Sequence, residues 1–276
     1  MLGALIIVFR EVFEAGLILG IVLAATNGVP KAGRWIGMGL AAGLAGATLL
    51  ASFVDVIASA MQGVGQEVFN ACILASAVLM LAWHNIWMAR HGREMSAELK
   101  GVGQAVKTGN RSLLALAVVV GVAVLREGSE VVLFLYGVLI QGGEGVGSLA
   151  LGGLLGTVLG GCVSAVMYFG LTRIPTRRLF SVTTGLITLL AAGMAAQSVF
   201  FLEQAGLVDV FGTKAWDTSA VLSDKSILGR ALHTLVGYSD APTVLQVLVY
   251  VVTLVGLFTF TKMMSPAAPK FKPVQA

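Results

Sequence analysis

Charged residues are scarce in this chain of 276 residues. Asp, Glu, Lys and Arg make up 12% of the sequence, about half of the roughly 25% that is usual for a soluble domain. Apolar residues account for 57% when tyrosine is counted and glycine is not. A soluble globule could not bury so much apolar surface behind so few charges, and disorder is excluded for the same reason. The composition therefore predicts an integral membrane protein.

Cysteine and several enzyme motifs are also scarce or absent from the sequence. Cys72 and Cys162 both lie in apolar runs, which excludes a disulfide framework and a cysteine metal cluster. No G-x-x-x-x-G-K-[ST] motif occurs, so we do not expect direct use of ATP. We predict a protein without cofactors that is not an enzyme.

Long apolar runs are abundant. A bilayer core about 30 Å thick needs about 20 helical residues, and seven runs satisfy this length. We therefore predict an all-α fold with seven transmembrane helices. The runs are approximately Leu2 to Ala25, Trp35 to Met61, Val68 to Met88, Leu113 to Ile140, Val146 to Phe169, Leu179 to Leu202 and Thr243 to Phe260.

The distribution of basic residues predicts the orientation of these spans. If the N-terminus is outside, the inner connections hold thirteen of the 18 Lys and Arg residues, and the outer connections hold three. Cytoplasmic loops keep the positive charge in membrane proteins. We therefore predict an outside N-terminus, an inside C-terminus and a location in the cell inner (plasma) membrane.

One charged motif, R-E-x-x-E, occurs twice. It extends from Arg10 to Glu14 in the first span and from Arg126 to Glu130 in the fourth. Rows of glycine at four-residue spacing follow in the second and fifth spans. Because one copy lies in the first span and the other in the fourth, three spans later, the second must cross the membrane in the opposite direction, as in the inverted repeats of many transporters. We predict a single membrane domain with repeats at about 1–92 and 112–206, an outer loop at about 206–240 and a seventh helix at about 241–262.

The motifs place six charged side chains near the middle of two spans, where each costs about 2.5 to 3.5 kcal/mol on insertion scales. Residues three and four apart on a helix share a face, so each arginine can offset one carboxylate. Arg10 and Arg126 are therefore predicted to compensate charge. The surplus negative charge predicts a cation site, and its candidate ligands are Glu11, Glu14, Glu127 and Glu130. Ligation by oxygen alone suits hard cations such as Fe(III), Mn(II), Mg or Ca.

Two other interpretations of the motifs explain less. Arg–Glu bridges that only tie two helices together would leave the second glutamate of each motif unexplained. A proton relay would not need two arginines.

With two such motifs in a seven-span chain, the sequence resembles the oxidase-dependent iron permeases, a family that includes the fungal high-affinity iron permease and the bacterial Efe-type iron transporter. The resemblance extends over essentially all 276 residues. It implies that the four glutamates carry iron, as Fe(III) or Fe(II), and that an extracytoplasmic ferroxidase or iron-binding protein is a partner. Many members have Gly-Leu inside the motif, whereas this chain has Val12-Phe13 and Gly128-Ser129.

Several polar residues outside the motifs give weaker signals. His84 and Gln197 lie at similar places in the third and sixth spans and are candidates for orienting the ligands or lining the ion path. Hydrogen bonding across a helix interface is the simpler interpretation of both. In the outer loop, Asp209, Asp217 and Asp224 are candidates for capturing iron, with a solvated loop as the alternative. Leu228 to Leu235 is predicted to form a short amphipathic helix.

The leading hypothesis is therefore an iron permease that binds no nucleic acid. A permease for another cation, such as Mn(II) or Pb(II), is the alternative within transport. An intramembrane carboxylate dimetal oxidase is the alternative among enzymes, although such sites add Glu-x-x-His pairs that this sequence lacks.

Overall fold

The computed structural model describes residues 1–60, 65–141, 145–170, 176–224 and 226–264. Within these ranges the chain forms eight α-helices and no strand, apart from one isolated bridge between Lys214 and Thr243. The helices are α1 (Leu2–Ala25), α2 (Ala32–Ala60), α3 (Gln66–Lys107), α4 (Leu114–Ile140), α5 (Val146–Tyr168), α6 (Thr176–Gln204), α7 (Ile227–Val236) and α8 (Val244–Met264). The all-α fold predicted from the sequence is confirmed.

Five of these helices are long and apolar enough to cross a membrane by length and composition. The candidate spans are parts of α2, α3, α5, α6 and α8. The two others of similar length, α1 and α4, have 24 and 27 residues and contain the two charged motifs. The count of seven spans stays a prediction. Met61, the predicted end of the second span, lies outside the described residues.

The third helix differs most from the sequence expectation. Instead of ending near Met88, α3 has 42 residues and continues to Lys107, through a segment that hydropathy predicts to be a connection. Its C-terminal half is amphipathic, because Leu99 and Val106 are buried in a core cluster with Ile36 of α2 while Lys100 and Lys107 are exposed. Tertiary packing therefore maintains the helix where hydropathy alone predicts an end.

Helices of the first and second halves pack crosswise, α1 along α5 and α4 along α2. Glycines allow the close approach. A Cβ atom added to Gly156 of α5 would lie 2.7 Å from the carbonyl oxygen of Leu5, and one added to Gly43 of α2 would lie 2.8 Å from that of Gly121. Because real Cβ atoms almost never come so close to a backbone, any larger residue would push these helices apart.

The helices α3 and α6 form a further pair. Ser198 of α6 donates a hydrogen bond of 2.9 Å to the carbonyl oxygen of Ala71 in α3. Beside it, Leu81 and Met194 belong to a buried cluster that also includes Phe134 of α4. This packing places one face of α3 against the middle of α1 and α4, where the charged motifs lie.

The short helix α7 confirms the predicted helix at Leu228 to Leu235. Ser226 caps its N-terminus by accepting a hydrogen bond from the amide of Gly229, and Gly237 ends it with a positive φ of 73°. Such a left-handed residue at the end of a helix is usually glycine, because a Cβ atom would be strained there. The helix packs against α6 and the start of α1.

Candidate metal site

The structure brings the two charged motifs together between α1 and α4. The charged residues of the motifs and His84 of α3 are between 1% and 4% exposed, with Arg126 as the exception. Charged groups at this depth need partners, since an unpaired buried charge is very costly. The partners come from both motifs and from α3.

Each arginine pairs with the glutamate four residues later in its own helix. Arg10 Nε donates to Glu14 Oε1 at 2.8 Å, and Arg126 Nε donates to Glu130 Oε1 at 3.3 Å. A longer contact of 3.8 Å joins Arg10 Nη1 to Glu11 Oε1. The i,i+4 bridge that the sequence predicts is therefore present in both motifs, and it leaves the second glutamate of each motif for another role.

His84 lies between the two motifs. Its Nε2 is 3.1 Å from Glu14 Oε2, and its Nδ1 is 2.6 Å from Glu130 Oε2. From the sequence this residue was one of two equivalent polar candidates, whereas the structure places it at the centre of the site. The available signal was a histidine inside an apolar span, since intramembrane ionisable residues usually face the interior of a helix bundle.

Four side chains offer ligand atoms that all lie within 4.8 Å of one another, namely those of Glu11, His84, Glu127 and Glu130. Metal bonds to nitrogen and oxygen are about 2.0 to 2.6 Å long, so two ligand atoms on opposite sides of one cation are about 4 to 5 Å apart, and the atoms of this group are no further apart than that. This arrangement can hold a cation. Metal binding by these residues and by Glu14 stays a prediction.

Arg126 is the exposed member of the group. Its side chain is 33% exposed, against 3% for Arg10. The guanidinium carbon lies 4.4 Å from the centroid of the Trp87 ring, and one of its terminal nitrogens lies 3.5 Å from His84 Nδ1. A cation above the face of an indole ring is attracted by its negative π surface. Trp87 therefore covers the second motif at the point where it approaches the surface.

The predicted counterpart of His84 lies elsewhere. Gln197 lines a separate, partly open cavity of about 210 Å³ between α6, α7 and α8, together with Gln141, His233 and Tyr238. His233 is oriented there by a 2.7 Å hydrogen bond to the carbonyl oxygen of Tyr238. The two polar candidates of the third and sixth spans thus belong to different places in the fold.

The three aspartates of the predicted outer loop have different surroundings. Asp209 is exposed. Asp217 is also exposed, and hydrogen bonds from the hydroxyl and the amide of Ser219 lower its pKa. Partial burial and the neighbouring charge of Asp240 raise the pKa of Asp224. The amide of Asp240 donates to Asp224 Oδ1 at 3.0 Å, and the amide of Asp224 donates to Asp240 Oδ2 at 3.2 Å. Their proposed role in capture stays a prediction.

Comparison with known proteins identifies relatives over nearly the full length. The chain is 32% identical over 254 residues to the ferrous iron permease EfeU of Escherichia coli O6:H1 (strain CFT073), a match that covers 91% of each chain. It is 31% identical over 254 residues to the ferrous iron permease EfeU of Yersinia pestis, covering 91% of this chain and 89% of the relative. No solved structure matches the chain.

The profile of the iron permease FTR1 family matches residues 1–265. This match covers both charged motifs, all eight helices and the segments between them. With the relatives above it identifies a multi-pass membrane protein of a transporter family, and an inner-membrane location is consistent with these bacterial relatives. The chain belongs to the iron permease FTR1 family.

Proposed function

We propose that this protein is a permease that moves iron across the inner membrane through a site formed by the glutamates of its two motifs. One observation carries the proposal: α1 and α4 bring four buried carboxylates together, and Arg10 and Arg126 pair with two of them, Glu14 and Glu130. Surplus negative charge in an apolar surrounding favours a bound cation. The relatives named ferrous iron permease support iron, in its ferrous state, as that cation.

An inverted repeat would place this site between two halves that move against each other. The crosswise pairs α1 with α5 and α4 with α2 support this proposal, because a pseudo-two-fold axis in the membrane plane would exchange one pair for the other. The related glycine contacts of Gly156 on Leu5 and of Gly43 on Gly121 support it as well. Transporters with such repeats bind their substrate near the bilayer midplane and alternate its access. This architecture requires α1 and α4 to span the membrane, which gives seven spans.

The arginines would hold the carboxylates in place and limit their mutual repulsion. Arg10 fixes one oxygen of Glu14, and Arg126 fixes one oxygen of Glu130. A cation that enters the site then meets carboxylates that are already oriented. Without this compensation, the desolvation of several like charges would cost many kcal/mol.

Uptake of radiolabelled iron into sealed proteoliposomes tests the proposed function. We expect iron to accumulate well beyond one ion per protein, with Fe(II) favoured over Fe(III) and over competing Mn(II) and Pb(II). Glu130→Gln should abolish uptake, whereas Glu94→Gln, an exposed carboxylate on the C-terminal half of α3, should not change it. Binding that stops at stoichiometric amounts would contradict transport and would favour an enzyme. Preferred uptake of Mn(II) or Pb(II) would identify a permease for another cation.

The outer face is the place for a partner. We propose that Fe(II) arrives there from an extracytoplasmic iron-binding protein and passes the acidic residues of the outer loop. A ferroxidase as the partner would instead deliver Fe(III), and the uptake assay at both oxidation states distinguishes the two partners. Asp209 and Asp217 are exposed in that loop, which supports attraction of cations at long range.

A further inference from the structure

The four motif glutamates do not have equal surroundings. Both carboxylate oxygens of Glu14 are engaged, Oε1 by Arg10 Nε at 2.8 Å and Oε2 by His84 Nε2 at 3.1 Å. By contrast, three other glutamates keep buried oxygens without a hydrogen-bond partner in the described part of the chain. These are Oε1 and Oε2 of Glu11, Oε2 of Glu127 and Oε2 of Glu130.

The orientation of His84 explains this difference. An imidazole that donates its Nε2 proton to Glu14 Oε2 has its lone pair on Nδ1. The Nδ1 atom lies 2.6 Å from Glu130 Oε2 and 3.5 Å from Arg126 Nη2. Two lone pairs as close as those of Nδ1 and Glu130 Oε2 repel each other unless a cation neutralises them. The imidazole also belongs, with Glu11, Glu127 and Glu130, to the group whose ligand atoms lie within 4.8 Å of one another. In metal sites, a ligating histidine almost always donates its other ring N–H to a carboxylate or carbonyl, which fixes the tautomer and the ring orientation. Glu14 and His84 have this arrangement.

We infer that the permeating cation is bound by His84 Nδ1 together with carboxylates of Glu11, Glu127 and Glu130, and that Glu14 is a positioning residue that orients His84. This inference rests on the proposed function and deepens it. It replaces a ligand set of four equivalent glutamates with three glutamates and one imidazole. His84 thereby becomes a specificity-determining residue.

The nitrogen ligand changes which cations the site prefers. Carboxylate and other oxygen ligands alone suit Mg, Ca and Mn, whereas imidazole suits Fe, Zn, Cu and Ni. One imidazole among three carboxylates therefore favours first-row divalent cations such as Fe(II) over Mg(II) and Ca(II). The second half does not supply a second imidazole, because the residue at the similar place in the sixth span is Gln197. Its side chain lines the cavity between α6, α7 and α8.

Pulsed electron paramagnetic resonance of bound Mn(II) tests the nitrogen ligand directly. The probe is Mn(II) added to the purified, tag-free protein in lipid nanodiscs, since a directly bound imidazole gives a ¹⁴N modulation of the echo. We expect this modulation in the unsubstituted protein, its loss in His84→Gln and its retention in His91→Gln. His91 is a matched control because it lies on α3 two turns further along and bonds to the carbonyl oxygen of Trp87.

Two results would overturn the inference, namely no ¹⁴N modulation in the unsubstituted protein, or a modulation that persists in His84→Gln. If His84→Gln does not fold, labelling histidine with ¹⁵N in the unsubstituted chain still decides the question, because a bound imidazole must then give ¹⁵N coupling instead. These spectra report the ligand set whether or not iron is transported. Failure of the inference is therefore distinct from failure of the proposed function, which the uptake assay measures.

The selectivity of uptake distinguishes His84, the proposed ligand, from Glu14, the residue proposed to position it. In Fe(II) uptake with excess Mg(II), His84→Gln should lower the preference for Fe(II) over Mg(II) roughly tenfold or more, as loss of a metal-site interaction typically does. Glu14→Gln should raise the half-saturating Fe(II) concentration by about 10- to 100-fold and keep the ¹⁴N modulation. If Glu14→Gln removed Mn(II) binding as fully as Glu11→Gln, Glu14 would be a ligand and the assignment of its role would be wrong.

Discussion

The two R-E-x-x-E motifs have the same charges and the same internal bridge, yet they lie in different surroundings. Arg10 is enclosed, whereas the Arg126 side chain is one-third exposed and rests on Trp87. The intervening residues differ as well, since Phe13 is fully buried while Ser129 is half-buried and donates a hydrogen bond to the carbonyl oxygen of Leu125. The first motif is thus packed inside the helix bundle, and the second lies at the edge of the bundle. A repeated motif therefore need not mean two equivalent half-sites.

The largest difference between the motifs should appear when each arginine is removed. Arg10→Ala leaves Glu14 and Glu11 without their buried cation, and breaking a buried ion pair costs about 3–5 kcal/mol. Arg126→Ala should cost less, because its side chain is one-third exposed and its ion pair is longer, at 3.3 Å against 2.8 Å for Arg10. Thermal unfolding in detergent and iron uptake measure the two effects. Arg10→Lys should recover part of the loss, since lysine keeps the charge but not the planar fork.

An Arg126→Ala variant as unstable as Arg10→Ala would remove the distinction between an enclosed motif and one at the edge of the bundle. Normal transport by Arg10→Ala would show that charge compensation at Glu14 is not needed. In that case, protonated glutamates would be the better account of the site.

The helices that carry the motifs should respond equally to changes in their glycine contacts. Gly156→Ala and Gly43→Ala each place a methyl group against the backbone of α1 or α4, and such overpacking costs about 1–3 kcal/mol. Gly153→Ala and Gly37→Ala are the controls on the same helices, because their added Cβ atoms have only an ordinary contact or none within 4 Å. A large loss of stability in only one of Gly156→Ala and Gly43→Ala would mean that helix packing, and not exposure, distinguishes the motifs.

A smaller effect is expected from Trp87, which touches the second motif only. Trp87→Ala removes a cation–π contact worth about 0.5–2 kcal/mol and frees Arg126 to move. The expected result is a modest loss of stability and a changed maximal uptake rate, with Arg10 and the first motif unaffected. Trp83→Ala is the matched control on α3, since Trp83 is 71% exposed. Equal uptake by Trp87→Ala, Trp83→Ala and the unsubstituted protein would argue against a role for the stacked pair.

The smallest effect should come from the outer loop, which contributes to neither motif. Replacing Asp209, Asp217 and Asp224 by Asn should raise the half-saturating iron concentration at low ionic strength and leave the maximal rate nearly unchanged, because steering acts on encounter. Added salt should reduce the difference, since exposed charges are screened over about 8 to 10 Å. Uptake curves that coincide at low salt would identify an ordinary solvated loop.

The sequence by itself determined the class of protein and the residues that carry charge into the membrane. Few charges and many apolar runs exclude a soluble fold, and the helical period places Arg10 on the same face as Glu14 and Arg126 on the same face as Glu130. Both bridges are local contacts within one helix, so their geometry follows from spacing alone. The glycine rows likewise predicted close helix contacts.

Only the tertiary structure decided which side chains meet across helices. His84 and Gln197 have similar positions in the sequence, yet one lies between Glu14 and Glu130 and the other lines a separate cavity. The extension of α3 to Lys107 and the exposure of Arg126 also depend on neighbouring helices. Hydropathy and periodicity describe one helix at a time, whereas these contacts depend on how α3 and α6 pack against the other helices.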